Sequence, residues 1–515
     1  MPTPILHPLP SLSNDTPASM FSHASAKAQA QAKVIATLGP ASSSPEMITA
    51  LINAGMSVVR LNMSHGEQSV HLETLRKVRA AAKEAGRTVA VLADLQGPKI
   101  RTGRMVDGKP VHIKTGDTIR FELSDEPGDA TRITTPLAPI FEVLTHGMRI
   151  LINDGALRLM VTDIISPTAV QCQIIQGGEL NERKGINLPD ARINIAALTE
   201  KDKADALFAV KAGVDYLALS FVQRAQDIQD LRTYLTEHQL PIPPIIAKIE
   251  KPQALEEIDA IFEATDALMV ARGDLGVELS PERVPMIQKR LCAKGFEVGK
   301  PVIVATQMLE SMTHSPYPSR AEVSDVANAV LDGADAVMLS GETATGEFPV
   351  EAVTMMRRAI VEAEDYLFTS SPEVPHAIHH TDQVPQAVAY AASFAARKTP
   401  IASMVVLTDS GKMARRISKM RPQQPIIALT ENPAVERQLA LLWGVRPICI
   451  TFADTTDETI NEAEREILKA KLLNMGDKVL FCAGWTPIVG ATNMLKFFTI
   501  GDAVKSATGL LNTHY

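Results

Sequence analysis

Residues 244–273 read PIIAKIEKPQALEEIDAIFEATDALMVARG, and this stretch shows the pattern on which the fold depends. Two short apolar runs, 244–250 and 267–273, flank a segment of helical length. Near-continuous hydrophobic runs of this kind are typical of parallel strands buried on both faces. Similar runs bring the number to eight, at 33–39, 57–62, 89–95, 215–221, 301–307 and 336–341. The sequence therefore predicts a TIM (β/α)8 barrel, with an open sheet of fewer units as the alternative.

One connection is far longer than an ordinary βα loop. About a hundred residues separate the third run from the helix near Thr199. They contain short strand-like runs at 111–117, 118–129 and 149–161, the last with an Asn-Asp-Gly hairpin signal. We expect residues 98–192 to form an inserted β-barrel lid domain on the active-site face. The barrel itself is then built from 33–97 and 193–367.

The two ends of the chain differ from the barrel in composition. Residues 1–32 are rich in Pro, Ser, Ala and Gln, which predicts a disordered tail. The Ser-, Pro- and His-rich stretch 368–386 is typical of a linker. Strand-like runs then return at 402–408, 425–430, 446–450 and 477–484. We expect residues 385–515 to form a C-terminal doubly wound α/β domain with a regulatory role.

Composition excludes several classes of function. The net charge of -8 and pI near 5.9 argue against a nucleic-acid or anionic-membrane partner. The four cysteines have no CxxC spacing, so we expect reduced thiols in a cytoplasmic protein. No apolar stretch reaches the roughly 18 residues that a membrane span needs.

Polar residues gather where the apolar runs end. In a TIM barrel the chemistry lies at these carboxyl ends of the strands. Any one of these residues could merely cap a strand, but seven of the eight runs end this way. The residues are Arg60, Asn62, Asp94, Ser220, Lys248, Glu250, Asp274, Thr306 and Ser340.

Two carboxylates at neighbouring strand ends indicate a metal site. Lys248 and Glu250 are two residues apart and project to the same side of their strand, which by itself could be a simple ion pair. Asp274 follows the next strand, so it and Glu250 can share a hard cation that keeps several waters, which suits Mg²⁺ and argues against zinc. Lys248 and Arg60 add positive charge for a small, doubly anionic, oxygen-rich substrate.

A set of motifs extends this pattern over almost the whole chain. They are TLGPAS (37–42), VVRLNMSHG (58–66), DLQGPKIRTG (94–103), RKGINLP (183–189), LTEKDKAD (198–205), IIAKIE (245–250), MVARGDLGVE (269–278), ATQMLESM (305–312) and DAVMLSGETA (335–344). With these motifs in this order, the chain resembles the pyruvate kinase family from about Lys33 onward. The resemblance implies a barrel with a β lid and a C-terminal α/β domain, usually assembled as a homotetramer. The reaction it implies is phosphoenolpyruvate plus ADP giving pyruvate plus ATP, with Mg²⁺ as cofactor and Mn²⁺ as a substitute.

The resemblance also implies roles for individual residues. Lys248 stabilises the transferring phosphoryl group, and Glu250 and Asp274 hold the magnesium. Gly273, Asp274 and Thr306 position the substrate carboxylate, and Arg60 faces its phosphate. Arg101, Lys184 and His65 match nucleotide contacts. A relay of hydroxyls and water around Thr306 and Ser340 is the expected proton donor to enolpyruvate.

Two positions depart from the family members that need potassium. Those members bind the monovalent cation at positions matching Asn62, Ser64, Asp94 and residue 95, with threonine at the last and glutamate at position 99. Here the residues are Leu95 and Lys99. We expect the Lys99 ammonium to supply the charge of K⁺ and to complement Asp94, so that K⁺ is not required. The alternative is a surface lysine at the lid hinge.

The C-terminal domain carries a candidate effector site. In VVLTDSGKMARRI (405–417) a strand ends and a helix begins, with Thr408, Ser410, Gly411 and Lys412 in the turn. Hydroxyls and amides at a helix start suit a phosphorylated allosteric effector, whose identity the sequence does not give. An ordinary βα turn is the alternative.

Two other functions compete with this interpretation. A magnesium-dependent carbon–carbon lyase or mutase acting on pyruvate or phosphoenolpyruvate needs similar carboxylates, but neither a lid with Lys184 nor a C-terminal domain. A catalytically inactive metabolite sensor is opposed by the presence of Lys248, Glu250, Asp274 and Thr306.

Overall fold

The chain begins with the first three strands of a barrel. The computed structural model describes residues 30–191, 196–370, 384–453, 455–484 and 492–501. Strands β1 (Lys33–Thr37), β2 (Met56–Asn62) and β3 (Ala90–Asp94) alternate with helices α1 (Pro45–Ala54) and α2 (Gln68–Glu84). Helix α1 begins at a Ser44 cap whose side chain accepts from the Met47 N–H. It ends at Gly55, where φ is 126°, a value that favours glycine.

The chain then builds the inserted β domain, as expected. Its hairpin turn lies at Asn153–Gly155, where all three residues have positive φ. The strands are β4 (Val111–Ile113), β5 (Thr118–Leu123), β6 (Arg132–Thr135), β7 (Arg149–Ile152), β8 (Leu157–Ser166), β9 (Ala169–Gln176), β10 (Gly178–Leu180) and β11 (Ile186–Asn187), with 3-10 turns at Val106–Gly108 and Ala138–Glu142. The order β11-β7-β8-β9-β5-β6 forms a six-stranded sheet, and β10 pairs with β4 in a separate ribbon. The described residues therefore form two ladders around one apolar core rather than one continuous ring.

After this insertion the chain returns to complete the barrel. Five further strands alternate with helices, and each of these strands lies inside one of the apolar runs of the sequence. The strands are β12 (Tyr216–Leu219), β13 (Ile245–Ile249), β14 (Ala267–Ala271), β15 (Val302–Ala305) and β16 (Ala336–Leu339). The helices are α3 (Glu200–Ala212), α4 (Ala225–Glu237), α5 (Pro252–Glu256), α6 (Ile258–Ala264), α7 (Arg272–Glu278), α8 (Val284–Glu297), α9 (Arg320–Leu331), α10 (Gly341–Ala344) and α11 (Pro349–Ser370), with 3-10 turns at Pro281–Arg283 and Glu310–Thr313.

The eight strands close into a parallel barrel, which confirms the TIM prediction and excludes the open sheet. Their order is β1-β16-β15-β14-β13-β12-β3-β2. Inward-facing residues such as Val58, Leu92 and Ile246 fill the interior. Because side chains alternate along a strand, Arg60, Asp94 and Lys248, each two residues further on, point inward as well. The strand period therefore brings the charged residues to one mouth of the barrel.

The C-terminal domain has a doubly wound sheet. The strands are β17 (Ser403–Leu407), β18 (Ile426–Thr430), β19 (Val445–Cys449), β20 (Lys478–Gly484) and β21 (Thr492–Thr499), and the helices are α12 (Val384–Lys398), α13 (Lys412–Lys419), α14 (Pro433–Leu439) and α15 (Thr456–Lys469). The order β19-β18-β17-β20-β21 is parallel except for the last strand, β21, which the sequence did not reveal. The consecutive residues Val405 and Val406 of β17 belong to different apolar clusters on the two faces of the sheet.

This domain closes the other mouth of the barrel. Ala440 and Leu441 pack into the apolar cluster of the barrel interior, and the Tyr216 hydroxyl donates to the Gln438 carbonyl at 2.6 Å. Deeply buried ion pairs join the two domains, with Asp335 accepting from Lys419 at 2.7 Å and Arg421 at 3.0 Å. The catalytic mouth of the barrel is thus the one that the C-terminal domain leaves free.

The predicted tail and linker fall largely outside the described residues. Gln31 and Ala32, which the sequence assigns to the tail, are buried because their backbone N–H groups donate to Glu364 of α11. The ends of the predicted linker, 368–370 and 384–386, belong to α11 and α12. Among the described residues, none of the helices has the length and apolar character needed to span a membrane.

Candidate active site

Lys248 lies at the centre of the catalytic mouth. Its Nζ is 2.9 Å from Glu250 Oε1 and 3.2 Å from Asp94 Oδ1, and it donates to Ser220 Oγ at 2.7 Å. Burial disfavours the ammonium, but the two carboxylates outweigh this effect and raise the pKa of Lys248 above its usual value. The lysine is therefore a fixed positive charge.

Arg60 and Asp94 form the adjoining wall. Arg60 Nε donates to Asp94 Oδ2 at 2.7 Å, and its Nη1 donates to Thr37 Oγ1 at 3.1 Å. Burial raises the pKa of Asp94, but Lys248 and Arg60 reverse this effect and hold it below its usual value. The structure does not pair Asp94 with Lys99 as the sequence led us to expect. Within the described residues, the Asp94 carboxylate forms ion pairs with Arg60 and Lys248 instead.

Glu250 and Asp274 provide oxygen ligands that suit a hard divalent cation. Glu250 Oε2 accepts from the Phe221 N–H at 2.7 Å, which fixes its carboxylate. Burial and the charge of Asp274 raise the pKa of Glu250, against the opposing effect of Lys248. Within the described part of the chain the Asp274 carboxylate has no hydrogen bond or ion pair, and no cluster of three acidic, His or Cys ligands occurs. Two carboxylates with room for water fit Mg²⁺.

Gly273 and Thr306 meet beside these carboxylates. The Gly273 N–H donates to Thr306 Oγ1 at 2.7 Å, and a Cβ at position 273 would come within 3.3 Å of the same oxygen. Thr306 and Gln307 both have left-handed φ, 68° and 53°, which is unusual for a β-branched residue such as threonine. Arg272 stabilises this turn, since its guanidinium donates to the carbonyls of Thr306 at 2.8 Å and Gln307 at 3.0 Å.

A small cavity of about 70 Å³ brings most of the predicted site together. It is lined by Arg60, Asn62, Ser64, Asp94, Leu95, Gln96, Lys99, Ser220, Lys248, Glu250, Met269, Ala271, Asp274, Thr306 and Met338. The lining thus includes the predicted metal carboxylates, the central lysine and all the residues matched to a monovalent-cation pocket.

A larger cavity of about 340 Å³ lies between the barrel and the lid. Arg101 and Lys184, the predicted nucleotide contacts, line it together with Lys99 and Asp274. The two cavities therefore share Lys99 and Asp274. His65 lines neither cavity, and burial followed by the charges of Lys99 and Arg101 lowers its pKa.

Ser340 and the predicted effector residues lie elsewhere. Ser340 follows β16, lines neither cavity, and its hydroxyl is buried with no hydrogen-bond partner among the described residues. Thr408, Ser410, Gly411 and Lys412 lie where β17 gives way to α13, in the C-terminal domain. Gly411 has φ 75°, and a Cβ there would lie 3.1 Å from Leu439.

Sequence reasoning missed several residues that organise the site. The sequence marks Ser220 only as a polar strand end, yet its hydroxyl contacts Lys248 and the Leu95 carbonyl. Arg272 has no feature in the sequence beyond its place at a strand terminus. Lys251, which is partly exposed and lines the larger cavity, forms an ion pair with the buried Glu278. For Arg272 and Glu278, the only available signal was a charged residue within an otherwise apolar motif.

The fold and the site define a TIM-barrel phosphotransferase with a β lid and a carboxylate-and-lysine centre for a phosphorylated anion. Family descriptions agree with this class along the chain: "Pyruvate kinase, barrel domain" matches residues 29–353 and "Pyruvate kinase, alpha/beta domain" matches residues 386–498. The chain belongs to the pyruvate kinase family.

Individual relatives cover nearly the whole chain. It is 42% identical over 487 residues to a pyruvate kinase of Geobacillus stearothermophilus, covering 93% of this chain and 82% of that protein. Identity to a pyruvate kinase of Agrobacterium vitis is 43% over 479 residues, covering 91% and 97%. A solved structure of a pyruvate kinase from Cryptosporidium parvum superposes with a TM-score of 0.83 at 37% identity, covering 92% of this chain and 96% of that one.

Family membership decides between the competing functions. The protein is a kinase that transfers a phosphoryl group from phosphoenolpyruvate to ADP, the glycolytic reaction that yields pyruvate and ATP. The lyase or mutase and the inactive sensor are set aside. Pyruvate kinases bind phosphoenolpyruvate and ADP and generally use Mg²⁺.

Proposed function

We propose that Lys248 is the residue that stabilises the transferring phosphoryl group, with Arg60 facing the substrate phosphate. The observation that carries this proposal is the buried Lys248 ammonium held by Asp94, Glu250 and Ser220. Phosphoryl transfer places charge on equatorial oxygens, and fixed cations in a water-poor cavity stabilise that charge most effectively. The Arg60 guanidinium, oriented by Asp94 and Thr37, adds a second fixed charge.

The test of this role is Lys248→Met. Removal of one preorganised electrostatic donor should lower turnover by at least about 10²–10³, while the fold and substrate affinity change little. The matched control is Lys203→Met, at a half-exposed lysine paired with Glu200, which should leave turnover nearly unchanged. A Lys248→Met enzyme that keeps more than about a tenth of the normal turnover would contradict the assignment.

For the metal, we propose that Glu250 and Asp274 hold Mg²⁺, with Mn²⁺ as a substitute. When bound there, the ion neutralises developing charge on phosphate and enolate oxygens. The Phe221 N–H orients Glu250, which lines the smaller cavity, whereas Asp274 borders both the smaller cavity and the cavity under the lid.

Substitution of either carboxylate tests the metal role. Asp274→Asn and Glu250→Gln each remove one anionic ligand and should raise the Mg²⁺ concentration needed for half-maximal rate and weaken Mn²⁺ binding to the substrate-free protein. Asp259→Asn, at an exposed surface pair, is the control. Unchanged Mn²⁺ binding in both carboxylate variants would locate the metal elsewhere.

For the substrate carboxylate and the proton, we propose the turn at Thr306. Gly273 and Asp274 lie at the start of α7 beside Thr306. Because the Gly273 N–H donates to the Thr306 hydroxyl, the substrate carboxylate replaces this hydrogen bond when it binds. The unpartnered Ser340 hydroxyl supports a relay of hydroxyls and water to the methylene carbon of enolpyruvate. Thr306→Val and Ser340→Ala should slow solvent deuterium exchange into the pyruvate methyl group more than they weaken substrate binding.

On the nucleotide side, we propose Arg101, Lys184 and His65 as contacts of ADP. The first two line the cavity under the lid, and Arg101 is tethered there by donation to the Arg183 carbonyl at 3.0 Å. His65 lies outside this lining, so its contact requires a change in the lid or in the His65 side chain. Arg101→Ala and Lys184→Ala should raise KM for ADP with little change in KM for phosphoenolpyruvate.

We further propose that Lys99 replaces the monovalent cation at Asn62, Ser64, Asp94 and Leu95, so that K⁺ is not required. Lys99 lines the cavity with all four of these residues, and its charge contributes to the lowered pKa of His65. In the described residues it forms no ion pair with Asp94, so its effect is that of a nearby charge.

For regulation and assembly, we propose a phosphorylated allosteric effector bound at Thr408, Ser410, Gly411 and Lys412, and a homotetramer in the cytoplasm. The turn supports the effector site because it joins β17 to the start of α13. The four free cysteines fit a reducing compartment. Activation by a panel of sugar phosphates and AMP, lost in Lys412→Ala, tests the first proposal, and light scattering tests the second.

A further inference from the structure

Glu278 joins three separate segments of the molecule. It is the last residue of α7 and is only 4% exposed. Its Oε1 accepts a hydrogen bond from the Lys251 ammonium and another from Asn187 Nδ2, at 2.8 Å. Asn187 belongs to the lid strand β11, while Lys251 follows the barrel strand β13. One buried carboxylate therefore holds the lid, a strand end and a helix end together.

Two of these segments carry the proposed metal carboxylates. Lys251 directly follows Glu250, and Asp274 lies four residues before Glu278 on α7, so it shares a helix face with it. Phe221 adds a further link, because its N–H holds Glu250 at 2.7 Å and its ring lies 5.7 Å from the Lys251 ammonium. The ion pair of Lys251 with Glu278 thus connects the segment that carries Glu250 to the helix that carries Asp274.

The third segment carries a proposed nucleotide contact. Asn187 lies three residues after Lys184, and both line the cavity under the lid together with Lys251. β11 is paired with β7, so a shift of the lid sheet moves Asn187 with it. A buried carboxylate that loses a donor is strongly destabilised unless its remaining partner adjusts. A movement of the lid that shifts Asn187 therefore changes the hydrogen bonding of the Glu278 carboxylate.

We propose that Glu278 is a positioning residue that couples the position of the lid over the nucleotide to the geometry of the metal carboxylates. The coupling rests on the metal and nucleotide roles proposed above. Glu278 itself touches neither substrate. It acts by fixing the end of α7 against Lys251 on one side and against Asn187 of the lid on the other.

Three variants separate the two contacts of Glu278. Asn187→Ala removes only the hydrogen bond from the lid, and Lys251→Gln removes only the ion pair with the barrel. Glu278→Gln keeps an acceptor for Asn187 but removes the charge that pairs with Lys251. Asn181→Ala is the matched control, because the side chain of this lid asparagine donates to Glu179 within the lid.

The readouts are Mn²⁺ affinity of the substrate-free protein and KM for ADP. Glu278→Gln and Lys251→Gln should weaken Mn²⁺ binding by about tenfold or more, the usual effect of losing a residue that orients metal ligands. Asn187→Ala, which acts on the metal carboxylates only through Glu278, should weaken Mn²⁺ binding by a smaller factor of about two- to fivefold and raise KM for ADP about tenfold, on the scale of one hydrogen bond to a charged group. The double variant of Asn187→Ala and Glu278→Gln should raise KM for ADP by less than the product of the single effects.

Two results would overturn the coupling. One is a Glu278→Gln protein whose Mn²⁺ affinity is unchanged, even with a lower melting temperature, because the carboxylate would then be only a structural ion pair. The other is full additivity in the double variant. Glu250→Gln and Asp274→Asn, measured alongside, distinguish this failure from a wrong metal assignment, since only the latter leaves their Mn²⁺ binding unchanged.

Discussion

At the scale of single residues, a few side chains set the charge balance of the catalytic mouth. Asp94 is the clearest case, because the sequence places it at a strand end and suggests Lys99 as its complement. In the structure it is shared by Arg60 and Lys248, so neither cation can be understood alone. Lys99 then lies beside an anion that is already paired.

The change Lys99→Glu should make activity depend on potassium. The unmodified enzyme is expected to work in buffer free of sodium and potassium, because the Lys99 ammonium supplies positive charge near Asn62, Ser64 and Asp94. With glutamate at position 99 that charge is lost and a cation site is restored. Initial rates with and without KCl, at constant ionic strength, provide the measurement.

Lys109→Glu is a suitable control, since Lys109 is an exposed lysine of the lid. The same charge reversal at that position should not create a potassium requirement. Stimulation of the unmodified enzyme by more than about tenfold on addition of K⁺ would show that Lys99 does not replace the ion.

At the scale of elements, helix α11 holds the segment before β1. Glu364 on this helix accepts from the Gln31 N–H at 2.8 Å and from the Ala32 N–H at 2.6 Å. Burial raises the pKa of Glu364 to about 7, although both N–H groups and the neighbouring Lys33 and Arg421 favour the charged form. This contact spans more than three hundred residues, which is why no local pattern predicts it.

The raised pKa of Glu364 predicts a pH-dependent contribution to stability. The folded state binds this proton more tightly than the unfolded state, so the contribution falls as pH rises from about 4.5 to about 7 and is constant above that range. Glu364→Gln removes the titration. The melting temperature of the unmodified protein minus that of this variant should therefore be larger near about pH 5 than near about pH 8.

Glu362→Gln, on the same helix, is the control and should show no such trend. A difference in melting temperature that is independent of pH, or that grows toward alkaline pH, would contradict the raised pKa of Glu364.

At the scale of the whole molecule, buried charges fix the C-terminal domain against the barrel. Asp335 is fully buried and accepts from Lys419, Arg421 and the Val302 N–H. Burial would raise its pKa, but Arg421 and Lys419 hold the pKa below its usual value. Lys419 is the last residue of α13, and the turn proposed as an effector site lies at the other end of this helix.

Asp335→Asn should lower the free energy of unfolding by about 3–5 kcal/mol, because it leaves two buried cations without their anion. Urea unfolding followed by circular dichroism gives the value. Glu73→Gln, which breaks an exposed pair with Lys77, should leave the free energy of unfolding nearly unchanged. Equal losses in the two variants would show that the interface pair contributes no more than a surface pair.

The sequence by itself determined the elements and the positions where chemistry is possible. Strands buried on both faces have apolar runs whatever their partners, so all eight barrel strands could be predicted from local composition. Inward orientation of Arg60, Asp94, Lys248 and Glu250 follows from the period of two along a strand. β21 was missed because it is an antiparallel edge strand, with an exposed Phe497 and no continuous apolar run.

Only the tertiary structure decided which charges meet. Barrel closure brings Asp94 to Lys248 across 154 positions of sequence, and the returning lid brings Asn187 to Glu278. The tertiary structure also brings Arg272 to the carbonyl of Thr306. It packs Ala440 and Leu441 into the mouth of the barrel that the C-terminal domain closes. Burial energies and Coulomb interactions depend on distance in space and on exclusion of water, neither of which local sequence patterns encode.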